Sequence, residues 1–166
     1  MLRARALVPG RARGRLLAAR VGLSFWGGVD PATGTVIDRS HPLHNATITD
    51  RVLVLPGGRG SCTGSQVILE LLLAERAPAA IVLRDPDDII ALGSIVGDEL
   101  FGRSFPVVSV GSDGFAGLLE PLADGGLGDG FAERGDLDFG GHDLSQAFCL
   151  RRSSERTERC SASATS

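Results

Sequence analysis

The stretch PGGRGSCTGS at residues 56–65 lies between two segments of different character. Residues 51–55 (RVLVL) are apolar and rich in valine, which is typical of a short buried strand. Residues 66–74 (QVILELLLA) are apolar on nearly every side and have the length of a helix. A strand, a glycine-rich turn and a helix in this order place the turn at a helix N-terminus. There the backbone N–H groups lack partners and the potential is positive, so an anion can bind without a lysine.

Two more strands and another helix follow along the chain. Residues 80–83 (AIVL) predict a second buried strand, and residues 106–110 (PVVSV) predict a third. Between them Asp85 is placed to cap a helix, with Pro86 at its first position and acids in its first turn. We expect this helix to end near residues 101–102. A β-α-β-α-β run predicts an α/β fold with a parallel sheet and right-handed crossovers.

The N-terminal part has the pattern of short strands. Residues 4–8 (ARALV) and 15–20 (RLLAAR) flank a Pro-Gly turn, which predicts a β-hairpin. The arginine-rich start also fits a targeting segment or a nucleic-acid arm, but the strand pattern favours the hairpin. Residues 113–122 predict a short helix. About the last 15 to 40 residues have the composition of a loosely ordered segment.

The composition excludes several kinds of chemistry. All 17 basic residues are arginine, so a lysine Schiff base and a Walker A phosphate loop are ruled out within this chain. Three widely spaced cysteines argue against a disulfide framework, and without a CxxC pair we predict no metal site made by this chain. The net charge of −3 and the lack of a long apolar run predict neither nucleic-acid nor membrane binding. A cytoplasmic location is expected.

Asp38, His41 and His44 follow one another in a predicted loop. They fit either solvated turn residues or groups near a ligand. Pro42 between the two histidines disfavours a helix, so the pair is a weak candidate for a metal site.

The glycine-rich stretch itself offers a base and an anion holder. A hydroxyl at a helix N-terminus, as at Ser61, has a lowered effective pKa because N–H donors and the helix dipole stabilise its alkoxide. Arg59 adds positive charge and is suited to clamp a carboxylate. The alternative is a plain strand-to-helix connection with serine and threonine caps. Neither GxSxG nor GxGxxG fits the spacing, and a lone Cys62 is more typical of a small buried residue.

Three segments together resemble one known family. They are LSFWGGVDPATGTVIDRSHPL (residues 23–43), RVLVLPGGRGSCTGSQVILELLL (residues 51–73) and APAAIVLRDPDDIIALGSIVGDELFGRSFPVV (residues 77–108). These look like the swivel domain, or small subunit, of the aconitase X group, whose members include cis-3-hydroxy-L-proline dehydratase and the phosphomevalonate dehydratase small subunit. The resemblance implies a swivelling β/β/α domain over residues 1–112, with a barrel-like layer of short N-terminal strands. Residues 113–166 are then a divergent, loosely ordered segment.

The resemblance also implies a function. Members are hydro-lyases in which the swivel domain closes over a large catalytic subunit that carries an iron–sulfur cluster on its own cysteines. The family's catalytic serine in the GxGS turn falls on Ser61, as proton acceptor. The residues expected to contact the carboxylate substrate are Arg59, Gly60, Cys62, Thr63 and Gly64.

Two hypotheses therefore stand. The first is a small subunit or domain of a cluster-dependent dehydratase, active only with the large partner, with the hydroxyproline enzyme favoured over the phosphomevalonate one. The second is an anion- or carboxylate-binding module without catalysis, such as a fragment of a fused enzyme.

Overall fold

The computed structural model describes residues 4–119 and the backbone of residues 131–139 and 151–152. The strands are β1 (Arg5–Val8), β2 (Ala12–Ala19), β3 (Val29–Asp30), β4 (Thr35–Val36), β5 (Arg51–Leu55), β6 (Ala80–Leu83), β7 (Val107–Ser109), β8 (Phe131–Phe139) and β9 (Arg151–Arg152). The helices are α1 (Gly64–Leu73), α2 (Asp88–Phe101) and α3 (Gly111–Leu119). None of the helices in the described part is long and apolar enough to cross a membrane.

The sheet is mixed and its centre is parallel. Seven strands lie in the order β1-β7-β6-β5-β2-β8-β9, and β3 and β4 form a separate two-stranded ribbon. Strands β2, β5, β6 and β7 are parallel, whereas β1 and β8 pair antiparallel to β7 and β2. The predicted β-α-β-α-β unit is confirmed as β5-α1-β6-α2-β7, so the α/β class is correct.

The predicted N-terminal hairpin is wrong. Strands β1 and β2 both form, but β7, β6 and β5 lie between them in the sheet. The reason lies in β2, where residues 16–19 are buried in succession. A strand that is buried on both faces lies inside a sheet, where its backbone groups need a hydrogen-bonded strand on each side. Strand β2 has β5 and β8 as these two neighbours. The short β1 instead closes the sheet beside β7.

Alternate residues of the central strands face two different cores. In β5, Leu53 and Leu55 belong to the larger core with α1, α2 and the loop residues that precede β5. Val52 and Val54 belong to the smaller core, which α3 covers. Both faces of the sheet are therefore buried, which explains the unbroken apolar sequence of β5 and β6.

Helices α1 and α2 pack closely because α2 carries small residues where they meet. A Cβ added at Gly93 would lie 2.7 Å from Cγ2 of Ile68, and one at Gly97 would lie 2.5 Å from Cδ1 of Leu72. Ser94 is fully buried and bonds both the N–H and the carbonyl of Phe105. Helix α2 is thus fixed against both α1 and the segment leading to β7.

The ends of α2 were predicted with unequal success. The helix ends at Phe101 with Gly102 in the left-handed region (φ 63°), as expected. Its cap is Asp87, however, not Asp85. Asp85 is instead exposed and paired with Arg84 at 2.7 Å.

The segment after residue 112 contains several elements. It holds most of α3, which confirms the predicted short helix, and the backbones of β8 and β9. The domain boundary at residue 112 stays a prediction. Residues 120–130, 140–150 and 153–166 of the predicted loose segment lie outside the described residues.

Candidate functional site

The candidate site lies where the carboxyl ends of β5 and β6 meet. Because these strands are parallel and adjacent, the loops that follow them emerge at the same edge of the sheet, a usual place for a ligand in α/β folds. A cleft of about 50 Å³ opens there. Its walls are the glycine-rich loop (residues 56–63), the segment of Leu23 and Phe25, and the start of α2 with Asp87, Ile89 and Ile90.

Ser61 is exposed and lines this cleft. Its Oγ lies 3.0 Å from the hydroxyl of Thr63 and accepts a long hydrogen bond of 3.3 Å from the Thr63 N–H. Both groups can donate to an oxygen that has lost its proton. Ser61 therefore has an open approach from the cleft and two donors behind it.

The backbone at the start of α1 is less open than the sequence predicts. The N–H of Gly64 donates to the carbonyl of Ser61, and the N–H of Ser65 donates to that of Cys62. Thr63 is the cap residue but makes no side-chain cap bond. Three N–H groups expected to be free, at residues 63–65, thus have acceptors within the loop, because a tight turn precedes the helix.

Arg59 is held beside the cleft by its backbone and by its side chain. Its N–H donates to the carbonyl of Leu23 at 3.1 Å. Its guanidinium lies 3.2 Å from Oδ2 of Asp38 and remains 55% exposed. The hydroxyl and N–H of Ser40 donate to Asp38 and hold the pKa of that carboxyl below its usual value, and the charge of Arg59 acts in the same direction. Asp38 thus stays ionised and keeps Arg59 in place.

His41 holds the loop that carries Asp38 through contacts with two backbone groups. The ring is only 3% exposed; its Nδ1 accepts from the Leu43 N–H, and its Nε2 lies 3.2 Å from the Val21 carbonyl. Burial lowers the pKa of His41, which outweighs the opposite influence of the Val21 carbonyl and Asp38. A neutral ring with Nε2 protonated satisfies both contacts. His41 is thus a buried structural group.

Asp87 is the residue of this site that sequence reasoning placed only among the first-turn acids of a helix. One oxygen accepts from the N–H groups of Ile89 and Ile90, and the other accepts from the N–H of Gly58 at 2.8 Å. The available signal was the spacing of Asp87 from Ile90, which fits a cap and its third helical residue. The contact to Gly58 spans 29 residues and has no signal in the sequence.

Two glycines of the loop are required by space and by conformation. A Cβ at Gly58 would lie 2.7 Å from Oδ2 of Asp87. Gly60 has φ 111°, and a Cβ there would lie 2.9 Å from Oγ of Ser24. Gly57 differs, since nothing lies within 4 Å of its Cβ position.

The predicted site residues divide into two groups. Arg59, Gly60, Ser61 and Gly64 line the cleft together. Cys62 and Thr63 do not line it; Cys62 is exposed, contrary to the buried position expected for a lone cysteine, and Thr63 stands behind Ser61. In the described part of the chain, no group of three or more His, Cys, Asp or Glu residues could hold a metal ion.

Comparison with known proteins identifies the family. A model described as the aconitase X swivel domain matches residues 1–121. The chain belongs to this family. The resemblance drawn from the three sequence segments is thereby confirmed.

Relatives of this swivel domain occur as parts of long proteins and as small subunits. The chain is 63% identical over 107 residues to a cis-3-hydroxy-L-proline dehydratase of Pseudomonas aeruginosa, covering 64% of this chain and 18% of that protein. It is 45% identical over 116 residues to a phosphomevalonate dehydratase small subunit of Methanothermobacter thermautotrophicus, covering 70% of this chain and 84% of the subunit. The chain thus spans less than a fifth of the length of the first relative and most of the second.

A solved structure has the same fold. The aconitase X of Thermococcus kodakaraensis superposes with a TM-score of 0.67 at 30% identity. The match covers 91% of this chain and 98% of that one. The mixed α/β fold is therefore that of an aconitase X swivel structure.

Proposed function

We propose that this chain is the swivel domain or small subunit of a hydro-lyase that dehydrates a small hydroxy acid, and that Ser61 is its proton acceptor. The observation that carries the proposal is the position of the Ser61 hydroxyl, which faces an open cleft with the Thr63 hydroxyl and N–H behind it. A base must reach a carbon-bound proton, and Ser61 is accessible for this. We favour cis-3-hydroxy-L-proline as substrate, since the relative at 63% identity carries that name.

The chain's own residues supply the proton-abstraction half of the reaction. Ser61, as the alkoxide, takes the proton from carbon, and the electron pair of that C–H bond becomes the new double bond as the neighbouring hydroxyl departs. Thr63 stabilises the negative oxygen through its N–H and hydroxyl. Arg59 binds the substrate carboxylate through the part of its guanidinium that Asp38 leaves exposed. Loss of the hydroxyl is left to a partner.

The cleft as it stands is open to water, which weakens a serine base. A large catalytic partner that closes over the cleft would exclude water and strengthen the interactions around Ser61. The Methanothermobacter relative, called a small subunit, supports such a partner. The cytoplasmic location predicted from the sequence fits this role and stays a prediction.

The iron–sulfur cluster implied by the family does not fit the residues described here. Such clusters are held by several cysteine thiolates. Within residues 4–119 the sequence has Cys62 alone, and the remaining two cysteines lie outside the described residues. We therefore assign the cluster to the partner.

The test is dehydration of cis-3-hydroxy-L-proline by the chain together with its large partner. Ser61→Ala should keep the complex intact and lower kcat by several powers of ten, since no other described hydroxyl lines the cleft. Ser65→Ala is the matched control, because the Ser65 hydroxyl points back to the Cys62 carbonyl. Near-normal turnover in Ser61→Ala would refute the assignment of the base.

A second substrate deserves the same assay. Phosphomevalonate is favoured by one observation, the 84% of a phosphomevalonate dehydratase small subunit that this chain covers at 45% identity. Turnover of phosphomevalonate without turnover of hydroxyproline would decide for it. If neither compound reacts but a small carboxylate binds the cleft, the chain is the non-catalytic binding module.

A further inference from the structure

One side chain joins the glycine-rich loop to the start of α2. Asp87 uses both carboxylate oxygens: Oδ1 accepts from Ile89 and Ile90 at 3.0 Å each, and Oδ2 accepts from Gly58 at 2.8 Å. We propose that Asp87 is a positioning residue for Ser61, which acts by clamping Gly58 three residues before the base. This inference rests on the function proposed above.

The clamp holds the loop from two sides. On one side Asp87 binds the Gly58 N–H, and on the other Gly58 forms a bridge with Leu23. One hydrogen bond of this bridge is the one that the Arg59 N–H donates to the Leu23 carbonyl. After β5 the loop is therefore held between Asp87 and Leu23, and its path toward Ser61 depends on both contacts.

The fit at the clamp is tight. Any side chain at Gly58 would meet Oδ2 of Asp87, at 2.7 Å, and Cδ1 of Ile90, at 3.4 Å. Contact between a backbone N–H and an ionised carboxylate is stronger than one between neutral groups. Gly58 thus leaves room for the Asp87 carboxylate and donates a hydrogen bond to it.

Asp87 is a firm anchor because α2 is firm. The start of α2 packs through Ile90 in the larger core, and one turn later Gly93 lies directly against Ile68 of α1. Ser94 then bonds the backbone of Phe105. The position of the Asp87 carboxylate is therefore set by the packed interior. Through its hydrogen bond with Gly58, Asp87 fixes one point of a loop that is otherwise exposed.

The test separates the two oxygens of Asp87. In Asp87→Asn one oxygen still caps α2, but an NH₂ group faces the Gly58 N–H. In Asp87→Ser the hydroxyl caps α2 and is too short to reach Gly58. Both variants should stay folded, with kcat lowered about 10- to 100-fold and KM changed by less than about threefold, because misplacement of a base costs rate more than binding.

A control and a reciprocal variant sharpen this test. Asp85→Asn removes the same charge two residues earlier, where the exposed carboxylate pairs with the half-exposed Arg84, and should leave kcat unchanged. Gly58→Ala breaks the clamp from the loop side. Its effect and that of Asp87→Asn should not add, since both remove one contact.

Amide hydrogen exchange at Gly58 gives a readout independent of activity. Exchange should accelerate in Asp87→Asn and Asp87→Ser and stay at the wild-type rate in Asp85→Asn. The proposal is overturned if both Asp87 variants keep kcat within about twofold of wild type, or if KM rises as much as kcat falls. If wild type itself is inactive on both substrates while exchange at Gly58 responds as expected, the clamp stands and the proposed function fails.

Discussion

Helices α1 and α2 begin at the same edge of the sheet, but their first residues are arranged in opposite ways. At α2 the cap residue Asp87 is extended (φ −132°, ψ 107°) and accepts from two N–H groups of the first turn. At α1 the cap residue Thr63 is already helical (φ −60°, ψ −15°) and gives no side-chain cap bond. Its hydroxyl lies against Ser61 instead.

The start of α2 is therefore suited to stabilising the fold, whereas the start of α1 is suited to contacting a substrate. A cap bond stabilises a helix but uses up the side chain that makes it. At α2 both carboxylate oxygens of Asp87 accept backbone hydrogen bonds, so this side chain is fixed in place. At α1 the Thr63 hydroxyl lies against Ser61, and Ser61 faces the cleft, where a substrate can reach it. Stability at one helix thus supports reactivity at the other.

Among variants that keep the Ser61 hydroxyl, the largest effect is expected from forcing the loop at α1 into an ordinary conformation. Gly60→Ala should lower kcat by about 100-fold and the free energy of unfolding by about 1–3 kcal/mol. The cause is φ 111° together with Ser24 Oγ at 2.9 Å from the new Cβ. Gly57→Ala is the control, because its Cβ meets nothing within 4 Å. Equal results for the two variants in kinetics and urea unfolding would contradict this account.

The two cap residues should differ in what their loss costs. Asp87→Ala should lower the free energy of unfolding by about 1–2 kcal/mol, since a cap of two N–H groups is lost. Thr63→Ala should cost less than about 0.5 kcal/mol because no cap bond is present, yet lower kcat about tenfold by removing a donor behind Ser61. Urea unfolding and steady-state kinetics measure both. A larger stability loss in Thr63→Ala than in Asp87→Ala would reverse the comparison.

The free energy of unfolding should fall in acid because of His41. The pKa of His41 in the fold lies below the usual value of about 6.5, so the unfolded chain binds the proton more readily. Stability from this group is complete above pH 6.5 or so and is lost as pH falls through the lowered pKa. Urea unfolding at a series of pH values measures the slope.

A substitution at His41 isolates that slope. His41→Asn keeps an acceptor for the Leu43 N–H without a titrating ring, and should flatten the pH dependence between about pH 7 and pH 5. An unchanged slope in His41→Asn would show that another group governs acid stability.

The smallest effect is expected at the exposed ion pair of Arg59. Asp38→Asn should leave the free energy of unfolding close to that of wild type, since surface ion pairs contribute little in water. KM should nevertheless rise a few fold, because Arg59 is no longer held beside the cleft. Asp85→Asn, at the more exposed carboxylate that pairs with Arg84, should change neither quantity. A KM equal to wild type in Asp38→Asn would remove Asp38 from the site.

Sequence patterns were most informative where neighbours along the chain are also neighbours in space. The unit from β5 to β7 and the end of α2 at Gly102 followed from apolar runs and glycine. The turn carrying Ser61 followed from the glycines of its own loop. The partners of β1 and β2 could not be predicted in this way. The buried run at residues 16–19 indicates that β2 needs a neighbouring strand on each side, but it does not indicate which strands these are.

Local sequence patterns were sufficient to predict that a strand, a glycine-rich loop and a helix would present a serine and an arginine at one edge of a parallel sheet. Backbone propensity and periodicity act over a few residues, so such a unit can be inferred locally. The contacts of Asp87 with Gly58 and of Asp38 with Arg59, across 29 and 21 residues, became visible in the folded domain alone. Contacts at that separation depend on how the sheet and helices pack, and packing is settled by the whole core at once.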